Sequence, residues 1–214
     1  MTAFNQDAKD RLVLIVEDDE NLREAITITL RVREIAYQEF KSAQDVSAFL
    51  NGARESRPTC MLLDIRLGTG PSGLSVFDEV SDLGLTNKIP VIFMTGHGDL
   101  ETAIDVMRLG AFDFVAKPFS TPDLLKKIES ALCKSEEVCD REQEKQKVLA
   151  LTEQLTEKET GVMHLMISGK TNREIAEVCG NSTRTVELHR ARIFDKLQVS
   201  NAVELVRVLT ILDS

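Results

Sequence analysis

At 214 residues the chain has room for one large domain or two small ones, and 43% hydrophobic with 29% charged residues supplies a real core and excludes a disordered or fibrous class. The net charge of −9 excludes coating of nucleic acid or anionic membrane through bulk electrostatics, so any DNA binding must come from a local patch. No apolar run approaches the ~20 residues needed to span a bilayer, and the opening MTAFNQDAKDR lacks the charged-then-apolar order of a secretory signal, which makes the cytoplasm the expected location. Cys60, Cys133, Cys139 and Cys179 show no metal-ligand spacing and read as reduced thiols, mostly packing.

From Arg11 to about Leu132 short apolar runs alternate with longer amphipathic stretches, the pattern of alternating strands and helices. The runs are Leu12–Val16, a weaker one at Tyr37–Phe40, then Cys60–Leu63, Val91–Met94 and Phe114–Ala116, five strands in all. Near-continuous apolar runs belong to strands buried on both faces, so a parallel sheet between layers of helices is predicted, with functional groups at the carboxyl ends of the strands.

Between Cys133 and Glu153 the apolar spacing gives way to a charge run containing Lys134, Glu136, Glu137, Asp140, Arg141, Glu142, Glu144, Lys145 and Lys147. This marks a domain boundary, and its helix formers favour a helical extension over coil. A dimerising coiled coil is the weaker alternative, because heptad positions after Cys139 are mostly polar. The expected division is 1–132, a linker at 133–150, and 151–214. Beyond Leu151 there is no strand pattern, and four helices fit at about 157–168, 172–179, 183–197 and 201–212. Thr171 and Glu174 have capping-box spacing, and Asn181-Ser182-Thr183 offers caps for the third of these helices.

Strand ends in the first half deliver groups with chemical use: Glu17-Asp18-Asp19, Asp64, Thr95 and Lys117-Pro118. In a parallel sheet these ends converge. Carboxylates gathered at one point repel unless a cation neutralises them, and Mg²⁺, which prefers oxygen ligands, is the natural candidate. Such a site suits phosphoryl transfer, with Asp64 as nucleophile, Lys117 as a second positive charge and Thr95 as a hydroxyl donor.

The stretches LIVEDDE, LLDIRL, FMTGHGD and GAFDFVAKPF resemble the motifs of receiver domains of two-component response regulators, over residues 11–132. The resemblance implies a doubly wound (βα)₅ fold, with Asp64 as phosphoacceptor, Glu17 and Asp18 as the acid pair, and Asp19 outside the metal's first shell. The backbone carbonyl of Arg66 would complete the Mg²⁺ ligands. Thr95 and Lys117 would sense the phosphoryl group, Lys117-Pro118 would be cis, and Phe114 would be the aromatic switch residue that turns inward as Thr95 moves. This chain departs from the family pattern after Asp64. The usual proline four residues on is Gly68, and the glycine usually four residues beyond it is matched by Gly73, five beyond, so the loop is one residue longer. FMTGHGD is similar to a NarL/FixJ-class subfamily, in which His97 and Asp99 would begin the fourth helix. No chemistry is assigned to them.

Residues 151–212 resemble the LuxR-type helix-turn-helix, with LTEKE at the start, GKTNREIAE as scaffold helix and STRTVELHRARIFDKL as recognition helix. Val186, Ile193 and Leu197 fall at helical spacing and should hold that helix against Ile175, Ala176 and the last helix. By resemblance Glu187, Leu188 and Ala191 face the bases. Arg184, His189, Arg190, Arg192, Lys170 and Asn172 are candidates for backbone or mixed contacts. Glu187 suits a cytosine amino group and Leu188 a thymine methyl. Glu187 also repels phosphate, and the half-domain is near neutral, which fits a weak monomer that binds after dimerising.

The two resemblances together imply a transcription regulator rather than an enzyme. Its chemistry would be limited to Mg²⁺-dependent self-phosphorylation and slow self-dephosphorylation. The partners implied are a sensor histidine kinase, double-stranded promoter DNA, a second copy of the chain when phosphorylated, and RNA polymerase, with no membrane. The alternative from the same residues is a phosphorylation-independent regulator whose receiver is an interaction module. A phosphohydrolase would need a second aspartate two residues after Asp64, where Arg66 stands. A dinucleotide-dependent oxidoreductase would need a glycine-rich turn after the first strand.

Overall fold

The computed structural model describes residues 11–52, 57–68, 70–96 and 100–212. The N-terminal segment MTAFNQDAKD and the expected helix start at His97 and Asp99 lie outside the described residues. Two compact units divide the chain between Cys139 and Asp140.

In the first unit β1 (Leu12–Val16), β2 (Ala36–Phe40), β3 (Thr59–Asp64), β4 (Val91–Thr95) and β5 (Asp113–Ala116) form one sheet. All pairings are parallel, in the order β2-β1-β3-β4-β5. The three central strands are apolar and buried throughout their length, apart from the buried polar ends Thr59, Asp64 and Thr95. β2, at the edge, has two exposed residues, which is why its run was the weakest in sequence.

Helices α1 (Glu20–Val32), α2 (Ala43–Gly52), α3 (Gly73–Asp82), α4 (Leu100–Arg108) and α5 (Thr121–Thr152) complete the unit. Strand side chains alternate between two cores. Leu14, Val16, Met61, Leu63 and Phe93 meet Val46, Val76, Phe77, Val80 and Val106 of α2, α3 and α4. Val13, Ile15, Leu62, Ile92 and Met94 meet Ile26, Leu30, Leu124 and Ile128 of α1 and α5. The doubly wound arrangement follows from this period-two alternation, which buries both faces of the sheet.

α5 runs on through the charged stretch, as helix rather than coil. Its Ser135 accepts from the Thr59 amide at 2.8 Å and donates to the Lys88 carbonyl, while Glu136 pairs with Arg11 at 2.7 Å. These ties keep the helix part of the first unit as far as Cys139. Cys60 and Cys139 are buried, whereas Cys133 and Cys179 are exposed, so packing accounts for two of the four thiols.

The second unit holds α6 (Glu157–Ile167), α7 (Asn172–Cys179), α8 (Thr183–Lys196) and α9 (Ala202–Thr210). Each begins on a capping side chain: Thr156, Thr171, Ser182 and Asn201. The capping box expected at Thr171 and Glu174 is present, and a second joins Thr156 to Glu159. Gly180 ends α7 with φ of 63°, a left-handed conformation that glycine adopts without steric cost. Val162, Met163 and Met166 of α6, Ile175 and Ala176 of α7, Val186 and Ile193 of α8 and Leu205 of α9 form one core. No helix among the described residues is long and apolar enough to cross a membrane.

Candidate functional site

The sheet order reverses at β1, which has β2 on one side and β3 on the other. Connections leave such a point in opposite directions and open a crevice at the carboxyl ends of the strands. The register places Val16 opposite Leu63, so the next step along each strand brings Glu17 beside Asp64. Glu17 is 1% and Asp64 6% exposed, while Asp18 is open to solvent. Carboxylate oxygens of these three residues lie within 4.8 Å of one another.

Lys117, just beyond β5, reaches back into this group. Its Nζ is 2.8 Å from Glu17 Oε2 and 2.8 Å from Asp64 Oδ2. Burial pushes Glu17 up to about 7, reinforced by the charge on Asp64 and opposed by the hydrogen bond and charge of Lys117. Burial pulls Lys117 down, but its bonds to Asp64 and Glu17 more than offset this and hold it above its ordinary value. The cluster suits a hard divalent cation, because its donors are carboxylate oxygens that one lysine does not neutralise.

The other residues expected to take part lie in or just beyond β3, β4 and β5. Thr95 ends β4 and is 2% exposed; its hydroxyl lies 3.5 Å from the Val115 carbonyl, the far limit of a hydrogen bond. The Lys117 amide donates to the Thr95 carbonyl at 2.6 Å, and the Lys117-Pro118 bond is cis, as expected. The Arg66 amide donates to Asp64 Oδ1 at 3.2 Å. Phe114 is half-buried against the core, with Lys127 Nζ 6.0 Å from its ring centroid.

The altered loop has two tight points. Gly68 has φ of +32°, and a Cβ there would stand 3.1 Å from Asp18 Oδ2. At Gly73, where α3 begins, a Cβ would fall 2.0 Å from the backbone oxygen of Asp64. The longer loop thus still delivers α3 hard against the end of β3, which only a glycine allows.

Of two further residues by the pocket, Asp19 was expected only to lie outside the metal's first shell, and Arg23 was not singled out in sequence. Asp19 caps α1, accepting from the amides of Asn21 and Leu22. Arg23 is 3% exposed, and its Nη1 donates to the Glu17 carbonyl at 2.8 Å. Its signal was available, since position 23 shares the buried face of α1 with Ile26, Thr27 and Leu30.

In the second unit, buried Val186, Ile193 and Leu197 hold α8 against Ile175 and Ala176, as the spacing predicts. Arg184, Glu187, Leu188, Ala191 and Arg192 are exposed on α8. His189 and Arg190 are half-buried; the Arg190 guanidinium stacks 5.7 Å over Phe194, and His189 Nδ1 is buried with no hydrogen-bond partner among the described residues. Lys170 and Asn172 are half-buried at the entry to α7.

Comparison with known proteins bears on both units. Residues 13–129 match the response regulator receiver domain family, and residues 153–209 match the bacterial regulatory proteins of the luxR family. The chain is a response regulator. It joins a receiver domain to a LuxR-type DNA-binding domain, the make-up of transcriptional regulators of two-component systems. The transcriptional regulatory protein TdiR of Thauera aromatica is 34% identical to this response regulator over 193 residues, 90% of this chain and 82% of TdiR. FixJ of Azorhizobium caulinodans is 33% identical over 196 residues, 92% of this chain and 90% of FixJ. Among solved structures, the response regulator StyR matches with a TM-score of 0.81 and 32% identity, covering 94% of this chain and 98% of that one. Full-length FixJ from B. japonicum matches with a TM-score of 0.56 and 30% identity, covering 94% and 97%.

Proposed function

We propose that Asp64 is the phosphoacceptor and that its phosphorylation by a sensor histidine kinase switches DNA binding by the LuxR-type domain. The observation that carries this reading is the bridge of Lys117 to both Glu17 and Asp64 at 2.8 Å, beside three carboxylates gathered at the switch point of the sheet. An Asp64 oxygen attacks the phosphorus of a phosphoimidazole. The new P–O bond forms as the P–N bond breaks, and the leaving nitrogen takes up a proton. Glu17, Asp18, Asp64 and the backbone carbonyl of Arg66 would hold Mg²⁺, which when bound neutralises charge on the transferring group. Lys117 follows the phosphoryl oxygens, and Thr95 supplies its hydroxyl to them while Phe114 turns inward. The chain's own chemistry is then confined to self-phosphorylation from a small donor and slow self-dephosphorylation.

Residues 1–132 form the signalling part, 133–150 a helical linker and 151–214 the DNA-binding part. The exposed face of α8 enters the major groove, with Glu187, Leu188 and Ala191 toward bases. Arg184, His189, Arg190, Arg192, Lys170 and Asn172 make backbone or mixed contacts. Leu188 supports this reading, since it is 52% exposed on a charged helix, lies outside the core of its unit and suits a thymine methyl. Phosphorylated chains pair so that two recognition helices span adjacent half-sites, in the cytoplasm and within reach of RNA polymerase.

The test is incubation of the full chain with acetyl phosphate and Mg²⁺, followed by intact mass and promoter-fragment binding for wild type and Asp64→Asn. A metal-dependent phosphoryl adduct, lost in the variant and accompanied by tighter DNA binding, is the expected result. No adduct from any donor or kinase, with DNA binding indifferent to the substitution, would overturn it and leave the receiver as an interaction module.

A further inference from the structure

Arginine is almost never fully buried unless its donors are paired, because removing a guanidinium from water is expensive. Arg23 on α1 is 3% exposed, and its partners are unusual in kind. Nη1 donates to the backbone carbonyl of Glu17 at 2.8 Å and lies 3.4 Å from that of Asp18, while Nε donates to Glu39 Oε2 at 3.2 Å. The two carbonyls belong to the two residues whose carboxylates stand beside Asp64. Glu39 sits at the end of β2, in register with Ile15, and the Glu17 amide donates to Phe40 next to it at 3.2 Å. One guanidinium therefore ties the turn after β1 to the start of α1 and to the end of β2.

We propose that Arg23 is a positioning residue for the cation pocket, fixing the peptide planes of Glu17 and Asp18 and so the direction in which both carboxylates leave the chain. The proposal rests on the reading that Glu17, Asp18 and Asp64 bind a divalent cation. The planar fork of arginine serves this purpose and lysine does not: it engages the carbonyls with one nitrogen and Glu39 with another, whereas an ammonium is a single point of charge on a flexible stem. Glu39 is the outer anchor, and Asp19 is the complementary device, capping α1 so that the helix begins immediately after the acid pair. Outer partners of this kind typically set metal affinity by about 10–100-fold without touching the metal.

The sign of the effect separates positioning from simple electrostatics. Deleting a positive charge near a cation site would tighten cation binding, whereas loss of positioning weakens it. Mg²⁺ affinity of the full chain is measured by titration calorimetry for wild type, Arg23→Met, Arg23→Lys and Glu39→Gln, with circular dichroism and melting recorded without metal. Arg23→Met is expected to weaken binding about tenfold or more, and Arg23→Lys and Glu39→Gln about threefold each, with phosphorylation by acetyl phosphate returning toward the wild-type rate at saturating Mg²⁺. If Arg23→Met does not fold, Arg23→Lys carries the test, because it keeps the charge and removes only the fork. Wild-type affinity, or tighter binding, in the folded variants would overturn the positioning role. A wild-type chain that binds no Mg²⁺ would overturn the cation reading itself, a distinct failure.

Discussion

Lys196, the last residue of α8, places its Nζ 2.7 Å from Oε2 of Glu159, the residue that closes the capping box of α6. Glu159 is 3% exposed, and the same carboxylate accepts from the Thr156 amide at 2.9 Å. Lys196 also donates to the Gln154 carbonyl at 3.0 Å. The C-terminus of α8 is thereby pinned to the N-terminus of α6.

This pin has a pH signature. The hydrogen bond from Lys196, followed by that of the Thr156 amide, holds Glu159 down to about 2. A depressed carboxylate stabilises the folded state above its unfolded pKa, near 4.5, and the contribution is lost as pH falls toward 2. Glu159→Gln is expected to destabilise the second unit by about 2 kcal/mol at pH 7 and to flatten the acid limb of its stability profile. Urea denaturation between pH 3 and pH 7, followed by helical signal, measures both; an unchanged acid limb would contradict the assignment.

In the receiver pocket the carboxylate shift has the opposite sign, upward rather than downward. Glu17 is raised to about 7, so cation binding must displace a proton below that pH. Mg²⁺ affinity is expected to be roughly tenfold weaker at pH 6 than at pH 8, from the fraction of Glu17 ionised. Mg²⁺ should also raise the melting temperature more at pH 8, where it relieves an ionised cluster. Glu17→Gln removes the slope. Calorimetric titration at the two pH values decides the matter, and equal affinities would show that Glu17 is ionised throughout.

Two glycines give substitutions of opposite sign. A Cβ at Gly73 would lie 2.0 Å from the Asp64 backbone oxygen, so Gly73→Ala must push α3 away from the end of β3. It should cost about 2 kcal/mol or more and slow phosphorylation by acetyl phosphate. Gly161 sits within α6 with nothing inside 4 Å of its Cβ position, so Gly161→Ala should stabilise the second unit by about 0.5–1 kcal/mol. Thermal unfolding of both variants tests the pair.

The strands and most helix ends were legible because their causes are local. Five apolar runs marked β1 to β5, and Thr171 with Glu174 announced the start of α7 before any packing was known. The strand-end rule also brought Glu17, Asp64, Thr95 and Lys117 to one crevice, since a parallel sheet leaves little choice. What escaped were relationships between elements. The need for Gly73 comes from the approach of α3 to Asp64, and the pairing of Lys196 with Glu159 joins residues 37 apart in sequence. Arg23 was visible as an arginine on an apolar helical face, but the carbonyls it serves exist only once β1 has turned into α1. The extent of α5 in the first unit was equally nonlocal: Ser135 is a polar residue in a charged run, yet it bonds Thr59 and Lys88.

The proposed DNA-facing side of α8 offers two kinds of contact that salt can tell apart. Arg184 is exposed near the N-terminus of the helix and unencumbered by packing, whereas Arg190 is drawn over Phe194. If Arg184 meets phosphate, Arg184→Ala weakens binding to all sequences alike and lowers the slope of log affinity against log salt by about one. Leu188→Ala should leave that slope alone and cost about 1–3 kcal/mol at one thymine-containing position, because an apolar contact to a methyl group releases no counterion. Glu187→Ala should relax discrimination at a neighbouring position while strengthening nonspecific binding, since it removes a negative charge from a surface that approaches phosphates. Binding of the phosphorylated chain to a specific fragment and to a scrambled one, each across a range of salt, resolves the three. A Leu188→Ala variant whose loss is the same on both fragments would move Leu188 off the base-reading face, and the register of α8 in the groove with it.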